Sequence, residues 1–389
     1  MLRIGRGLAY IGFLLMPALY LRLWRNFNFS DAFLLASFFI FIKTGTPQVL
    51  FTVIKNPINV PLFIFFLGFS LSLMVSEQPI ECFFALIQLL FCIYIVTTII
   101  YFCDIKRVLQ MIVITVSLHV ILTVLFAMRI LDVGIIKQGW GDIRLSFGNV
   151  EPNIATRVFF IGFVIMIFSL RGKQWFWLKI GTLFSMLATV SKTGLLALMT
   201  LFIGKRKIAE VLLIVFFLVV TVFGFVKYVP SVLNISIIRN YNFRISNLLN
   251  MSDESARQRI YMYTEGPILF FERYFFIGTG MDNPSIVGHP HNVMISVAIG
   301  NGIFGLIGYL LMYIIIFMIA WKIERKFGML MALVLGTFVF DMFMPVSENR
   351  IYWFPFSLTI AVYLQHLSFS RKHSSDKATI EPNCSKLTV

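Results

Sequence analysis

Charged residues are scarce in this sequence of 389 residues. Only 13% of the chain is Asp, Glu, Lys or Arg, whereas 59% is hydrophobic and the mean hydropathy is +0.87. Soluble globular domains contain about 25% charged residues, so this composition excludes them. The apolar runs are broken by short polar or basic patches and do not alternate, which favours transmembrane helices over a transmembrane barrel. The sequence therefore predicts an all-α integral membrane protein with a single polytopic domain over residues 1–389.

The cysteines are few and widely separated. Cys82, Cys92, Cys103 and Cys384 have no paired spacing that indicates a zinc site or a disulfide framework. Acidic residues number 18 against 33 Lys and Arg, which gives a formal net charge of +15. Because there is no basic soluble module that would bind nucleic acid, we interpret the excess charge as the signal that orients the chain in a bilayer.

Long hydrophobic runs predict a bundle of about 12 transmembrane helices, since each span needs about 20 apolar residues. The first run lacks a small-x-small cleavage site, so we expect a retained span rather than a signal peptide. The second run is interrupted at Lys43–Pro47, which leaves open a division into two half-helices. The predicted spans are Leu8–Leu23, Asp31–Ile54, Pro61–Val75, Phe83–Phe102, Val108–Leu131, Asn153–Leu170, Trp175–Val190, Thr193–Ile203, Ile208–Phe225, Asn292–Ala320, Phe327–Met344 and Ile351–Leu367.

Lys and Arg recur in every second connection, which the positive-inside rule assigns to the cytoplasm. Both termini then lie in the cytoplasm, with a tail at 368–389. The long loop at 227–290, the loop at 132–152 and the turn at Ser191–Lys192 fall on the outer face. Arg22 and Arg25 also fall outside, against the rule.

The long outer loop is basic, contrary to the orientation bias. A local cause is needed for cations on the translocated face, and an anionic ligand supplies one. The planar fork of arginine suits phosphate oxygens, although a single arginine near a bilayer more often snorkels toward lipid headgroups. The cations of this loop are Lys227, Arg239, Arg244, Arg257, Arg259 and Arg273.

Two histidines stand immediately before an apolar run, in His289-Pro-His291-Asn292. His291 is therefore expected at the outer edge of the membrane, with Asn292 near a helix N-terminus. A neutral histidine there can take a proton from a sugar hydroxyl, as a general base in glycosyl transfer does. An interfacial histidine bonded to a carbonyl is the alternative, and a metal site lacks further ligands nearby in sequence.

Two further basic motifs are predicted at the same face. Arg144 precedes Gly148 and the helix start at Pro152-Asn153, with Arg157 one turn inside that helix. Lys192 follows Ser191 between two helices, where a lysine must face a polar cavity or snorkel outward. The basic groups therefore converge on one side of the membrane.

The glycines of the second half favour structural roles. Gly278-x-Gly280 more often indicates a turn than a phosphate cradle. Small residues spaced along one helix allow close helix packing, and this is the expectation for Gly300, Gly302, Gly305 and Gly308.

Acidic residues are almost missing from the predicted spans. Asp341 lies near an outer end and Glu210 near the cytoplasmic face, which leaves His119 and Lys43 as candidates for a proton relay at mid-depth. A proton-coupled transporter is therefore disfavoured. A glycoside hydrolase is disfavoured as well, because no Asp/Glu pair occupies a soluble cleft.

In order and spacing, these motifs resemble those of the bacterial O-antigen ligase and O-antigen polymerase superfamily of polytopic glycosyltransferases. They cover roughly the second half of the chain, and the first half is similar only in hydropathy. The motifs are Arg144-x-x-x-Gly148 with Pro152-Asn153, Ser191-Lys192, Arg257 with Ile260-Tyr261, Gly278-x-Gly280, and His291-Asn292 followed by glycines at 300, 302 and 305.

The resemblance implies transfer of a glycan from undecaprenyl diphosphate at the periplasmic face of the inner membrane, without cofactor or obligatory metal. It makes the loop at 227–290 periplasmic and assigns His291 as the base that activates the acceptor hydroxyl. The family usually has arginine where this chain has Lys192, which keeps the charge but loses the two-pronged contact. The remaining assignments are Arg257, Arg259, Lys192 and Arg144 to the diphosphate, and His289, Asn292, Asn153 and Tyr261 as supporting residues.

Polymerase and ligase use the same donor and differ in the acceptor, which is a second lipid-linked repeat or lipid A core. The short link from Gly280 to His289 leaves little outer-loop material to dock a bulky core, so we favour the polymerase. The expected partners are the undecaprenyl-diphosphate-linked oligosaccharide, membrane lipids and a chain-length regulator, and no nucleic acid. A flippase for lipid-linked sugar is the alternative from another class, and it requires polar residues along a central path.

Overall fold

The computed structural model describes residues 1–18, 22–24, 27–127, 135–137, 143–145, 152–170, 172, 175–189, 191–203, 263–280, 292–324, 328–343 and 350–375. Within these ranges the chain is helical except for turns and two short antiparallel ribbons. One ribbon pairs β1 (Arg22–Trp24) with β2 (Phe27–Asn28). The other pairs β3 (Ile135–Lys137) with β4 (Ile143–Leu145), and its register places Arg144 opposite Ile136.

The helices follow the apolar runs of the sequence. A π-helical turn, Phe91–Val96, joins α4 to α5, and a second one, Phe270–Tyr274, follows the helical residues 263–269. A short 3-10 helix, Thr200–Ile203, follows α9. The α-helices are α1 Leu2–Leu15, α2 Phe29–Ile54, α3 Asn59–Leu73, α4 Pro79–Leu90, α5 Thr97–Phe102, α6 Ile105–Ala127, α7 Pro152–Ser169, α8 Phe176–Ala188, α9 Lys192–Met199, α10 Val293–Glu324, α11 Met329–Phe343 and α12 Arg350–Ser375.

In the described part of the chain, 4 helical segments are long and apolar enough to cross a membrane: Phe29–Ile54, Pro79–Phe102, Ile105–Leu125 and Val293–Glu324. Shorter apolar helices cover Asn59–Leu73, Asn153–Ser169, Phe176–Leu187 and Met329–Met342. Large apolar side chains such as Phe63 and Met318 point outward, 73% and 62% exposed, as on a lipid-facing surface. The chain is a helical membrane protein, which confirms the predicted class.

Several predicted boundaries are wrong. The first helix ends at Leu15 rather than Leu23, because Pro17 has no N–H for a further helical bond and the chain turns into β1 and β2. At the other end, α12 continues through Ser375, beyond the predicted end at Leu367. The interruption at Lys43–Pro47, by contrast, is present: Gly45 has the non-helical angles φ −150 and ψ 38, so two helical pieces meet there within α2, as the sequence left open. The predicted span at 208–225 lies outside the described residues.

Two hydrophobic clusters form the interior. One is centred on α6, α7 and α11, and the other on α3, α4 and α10. Helices α3 and α10 cross at such close range that a Cβ at Gly68 would collide with the backbone of Gly305, and a Cβ at Gly308 with that of Phe65. The packing role predicted for Gly305 and Gly308 is therefore confirmed.

The π-helical turn attaches α12 to the second cluster. A π turn widens the helix and frees backbone carbonyls for other donors. The carbonyl of Cys92 accepts a hydrogen bond of 2.7 Å from the buried Ser357 hydroxyl on α12. This contact holds α12 against the π turn between α4 and α5.

Candidate functional site

The starts of α7 and α9 lie side by side at one end of the bundle. The hydroxyls of Thr156, at the start of α7, and Thr189, at the end of α8, form a buried hydrogen bond. Gly194, in the first turn of α9, packs so tightly on Thr156 that a Cβ would collide with it. Since the Ser191 hydroxyl accepts the Gly194 N–H at 3.4 Å, it caps α9. The motifs around Pro152-Asn153 and Ser191-Lys192 therefore meet at the same end.

The stretch that leads to α10 lies at this end too. The Tyr263 hydroxyl donates to the carbonyl of Met342, next to the last residue of α11. Farther along, the N–H groups of Thr279 and Gly280 donate to carbonyls at 299 and 300, each at 2.9 Å. The last described part of the long loop is thus tied across the bundle end by backbone hydrogen bonds.

Helix α10 is broken at Gly302, which has φ +65 and ψ −166. A Cβ at Gly302 would lie 2.6 Å from the carbonyl oxygen of Phe276, so both the conformation and the space require glycine. The part after the break, 303–324, spans about 33 Å at about 1.5 Å per residue, which matches the hydrocarbon thickness. The part before it, 293–301, is held at the bundle end by the loop.

The predicted turn at Gly278-x-Gly280 is not seen, since the bends lie at 275–277 and residues 278–280 run along the start of α10. Gly280 has φ +96, and Gly278 lies against the Gly300 carbonyl with no room for a side chain. The motif therefore serves the backbone contact with α10.

Beneath this end lies a fully buried ion pair between α7 and α11. Nη1 of Arg157 is 3.2 Å from Oδ1 of Asp341, and their side chains are 2% and 0% exposed. The hydroxyls of Tyr309 and Tyr313 on α10 both donate to Oδ2 of the same carboxylate. Tyr352 on α12 completes the group, because its hydroxyl lies 3.0 Å from that of Tyr309. We call these five residues the buried polar cluster.

Aromatic rings enclose the Arg157 guanidinium. Its central carbon lies 3.7 Å from the ring centroid of Tyr352 and 5.5 Å from that of Phe340. Such cation–π contacts partly replace the lost hydration of the charge. The cluster lies where the two hydrophobic cores meet, since the three tyrosines belong to one and Phe340 to the other, and it joins four helices.

Two nitrogens of Arg157, Nε and Nη2, have no hydrogen-bond partner within the described residues. The buried Asn301, next to the helix break, likewise has an unpartnered Nδ2 there, while its Oδ1 accepts from the Ser72 hydroxyl at 3.2 Å. Buried donors are normally paired, and a guanidinium prefers anionic oxygens. The edge of Arg157 that carries Nε and Nη2, its free edge, therefore keeps unsatisfied donors within a side chain that is 2% exposed.

The structure places the predicted residue Asn292 at the N-terminus of α10, as expected. Asn292 is 3% exposed, and its Oδ1 accepts the N–H of Ile295 at 3.1 Å. This side chain acts as a helix cap, which fixes the direction in which the chain enters α10.

The other predicted site residues are described in part or not at all. Asn153 is 8% exposed in the first turn of α7, Lys192 is the first residue of α9, and Arg144 is the central residue of β4. The structure brings the starts of α7 and α9 together. Of β4 it describes the backbone only. His289, His291, Arg257, Arg259 and Tyr261 lie outside the described residues, so their roles stay predictions.

Sequence reasoning missed the buried polar cluster. Asp341 was correctly placed near a helix end, but it was not expected to be fully buried or to pair with Arg157. A signal was present: an arginine and an aspartate, each inside an apolar helix and near the same predicted face, are opposite charges that need a partner. Tyr309 and Tyr313, four residues apart on one helix face, pointed to the same place.

In the ranges that the structure describes, no group of three or more His, Cys, Asp or Glu side chains is arranged to hold a metal ion. No protein-family model matches the chain, and no curated protein matches it either. The functional argument therefore depends on the residues of the chain itself.

Proposed function

We propose that this protein is an O-antigen polymerase of the bacterial inner membrane, which transfers an undecaprenyl-diphosphate-linked glycan onto an acceptor sugar hydroxyl at the periplasmic face. The proposal is carried by the buried Arg157 guanidinium, whose two unpartnered nitrogens lie just below the bundle end where α7, α9 and α10 begin. A lipid-linked diphosphate presents its anionic group at this depth, between headgroups and hydrocarbon. Arginine binds such a group through paired hydrogen bonds.

The chemistry requires few groups, because a diphosphate is a good leaving group. In the proposed reaction, His291 removes the proton of the acceptor hydroxyl while the oxygen attacks the anomeric carbon of the donor. The bond from that carbon to the diphosphate oxygen breaks, and the lipid diphosphate leaves with the electron pair. Positive side chains stabilise the developing charge, a role that we assign to Arg257, Arg259, Lys192 and Arg144.

The described residues support this assignment through position. Asn292 caps α10 with its side chain, so the point at which the chain enters α10 directly after the proposed base is fixed. Arg157 is held by Asp341, which balances its charge and makes its burial tolerable. Its free edge then adds hydrogen-bond donors below the diphosphate without adding net charge to the cluster.

We propose the topology that belongs to this function: about 12 spans, a periplasmic loop at 227–290 and a cytoplasmic tail at 368–389. The shared location of the starts of α7, α9 and α10 and the end of α11 supports a common outer face.

The test is complementation of a strain that lacks this gene, read out as the lipopolysaccharide ladder on a gel. We expect His291→Ala and Arg257→Ala to abolish polymer at normal protein level, since loss of a general base costs about 10²–10⁴ in rate. Arg273→Ala is the matched control, because Arg273 is an exposed arginine of the same loop, and it should leave the ladder unchanged.

The phenotype of the deletion strain separates the related functions. Lipopolysaccharide with a single repeat supports the polymerase. Bare core with polymer accumulating on the carrier would indicate the ligase, and repeats trapped in the cytoplasm would indicate a flippase. Unchanged ladders in both the His291→Ala and Arg257→Ala strains would overturn the site.

A further inference from the structure

A groove lies at the end of the bundle opposite the buried polar cluster. It has a volume of about 260 Å³ and is framed by the start of α6, the end of α7 and the residues that lead into α8. Along α7 this end is about 18 Å from Arg157, at about 1.5 Å per residue over the twelve residues to Ser169. The groove therefore belongs to the other membrane face and is separate from the proposed glycosyl-transfer site.

The groove is polar at its rim and apolar at its floor. Lys106 and Gln110 stand on successive turns of α6 at the rim, and Trp175 faces them from the start of α8. Val113 and the fully buried Ile165 lie deeper, on α6 and α7. Tryptophan is enriched at the headgroup level of membranes, so this order of residues follows the polarity of one bilayer leaflet from headgroup to acyl chain.

Within the described residues a carboxylate lies beside the rim, because Oδ1 of Asp104 accepts the backbone N–H of Lys106 at 3.0 Å. Lys106 is exposed and forms no ion pair there, whereas the neighbouring Arg107 contacts Asp104 at 3.8 Å. The carbonyl end of α7 does not need Lys106, because Leu170 accepts a hydrogen bond of 3.0 Å from the buried Lys179. Lys106 is thus available to an anion at the mouth of the groove.

We infer that this groove binds an anionic phospholipid, with its phosphate at Lys106 and Gln110 and an acyl chain that starts beside the half-buried Trp175. Basic pockets between transmembrane helices at the cytoplasmic side recognise anionic headgroups, and each lysine near the surface contributes about 1 kcal/mol. A zwitterionic lipid makes the same apolar contacts, but its headgroup has no net negative charge to attract Lys106. The inference does not depend on the glycosyltransferase proposal.

The experiment uses the full chain in nanodiscs of phosphatidylcholine and increasing fractions of phosphatidylglycerol with brominated acyl chains. Bromine quenches nearby tryptophan, so Trp175 reports an acyl chain in the groove. We expect stronger quenching by brominated phosphatidylglycerol than by brominated phosphatidylcholine at equal mole fraction. Trp175→Phe should remove this excess, while the lipid-exposed Trp177, 68% exposed, remains as a reporter of general lipid contact.

Lys106→Gln tests the headgroup contact. It should raise the mole fraction of phosphatidylglycerol that half-saturates the quenching about fivefold, as expected for the loss of one surface lysine. Lys322→Gln is the matched control, an exposed lysine near the end of α10 that does not line the groove, and it should change nothing. Equal quenching by the two lipids, or an excess that survives Lys106→Gln, would overturn the inference.

Discussion

Arg157 and Asp341 are separated by 184 residues in sequence and form a completely buried ion pair, with Nη1 and Oδ1 3.2 Å apart. Burial of either charge alone in a helical membrane protein is costly. Together with the tyrosine hydroxyls that bind the carboxylate, the pair connects α7, α10, α11 and α12 below the bundle end. This contact therefore fixes the helices whose ends form the proposed site.

The first prediction concerns this pair. Arg157→Met or Asp341→Leu alone should destabilise the protein by about 3–5 kcal/mol, because the partner is left as an uncompensated buried charge. The double variant should recover most of that loss, since two apolar side chains of similar size can replace a buried pair. The measurement is the midpoint of thermal unfolding of the purified protein in detergent.

The same variants separate stability from function. If Arg157 binds the donor diphosphate, the double variant will fold and yet fail to restore polymer in the deletion strain. A double variant with wild-type stability and a normal ladder would limit Arg157 to a structural role. Single variants as stable as the wild type would contradict the burial argument.

The second prediction concerns the break in α10. Gly302→Ala should lower stability by about 1–3 kcal/mol, because alanine is strained at positive φ and its Cβ would press on the Phe276 carbonyl. Gly7→Ala is the matched control: Gly7 lies in α1 with nothing within 4 Å, so alanine there should be neutral or stabilising. Thermal midpoints that fall equally for both would refute the requirement for glycine at the break.

The third prediction assigns Asn292 a positioning role. Asn292→Ala removes the cap of α10 and should lower the free energy of unfolding by about 1 kcal/mol. Asn292→Ser keeps a capping oxygen and should lower it by only about 0.3 kcal/mol. Polymer length in the deletion strain should follow the same order. Loss of polymer in the serine variant at unchanged thermal stability would instead indicate direct contact of Asn292 with substrate.

The fourth prediction concerns Cys103, which lies in the turn between α5 and α6. Burial raises the pKa of its thiol to about 12, against the opposing influence of Arg6. A raised thiol pKa means that the reactive thiolate is lost at all lower pH values, so at pH 9 the thiolate fraction is about 0.1%. Cys103 should therefore resist alkylation up to that pH.

The measurement compares two single-cysteine proteins, in which the other cysteines are replaced by alanine. Cys384 in the predicted tail should react with iodoacetamide at the rate of an ordinary thiol, with a rise between pH 7 and 9. Similar rates and the same pH dependence for Cys103 would contradict its burial. Denaturation in SDS should make the two proteins equally reactive.

The agreement between sequence and structure differs from one element to another. Hydropathy found the apolar helices, since each one is encoded by a contiguous run of residues. It placed the end of α1 at Leu23, whereas the helix ends before Pro17 although the apolar run continues. It placed the end of α12 at Leu367, whereas polar residues continue that helix to Ser375. Helix ends depend on single residues and local contacts, which an averaged hydropathy does not contain.

For the glycines of α10 and for Asn292, the sequence likewise predicted some properties and missed others. The sequence predicted that Asn292 lies at a helix start and that Gly305 and Gly308 allow close packing, because both properties belong to a residue type at a helical position. It did not separate Gly302 from these glycines. The break there exists because a loop from 275–280 crosses α10, and this crossing is a contact between distant segments.

By itself the sequence determined that the chain is a helical membrane protein with its polar and basic motifs between apolar runs, because hydrophobicity acts on each segment independently. Only the tertiary structure decided that Arg157 meets Asp341 and three tyrosines between two cores, and that α10 bends at Gly302. Those facts depend on which faces of distant helices approach one another. That choice is made by packing and by the need to pair every buried charge, and neither can be computed from one segment alone.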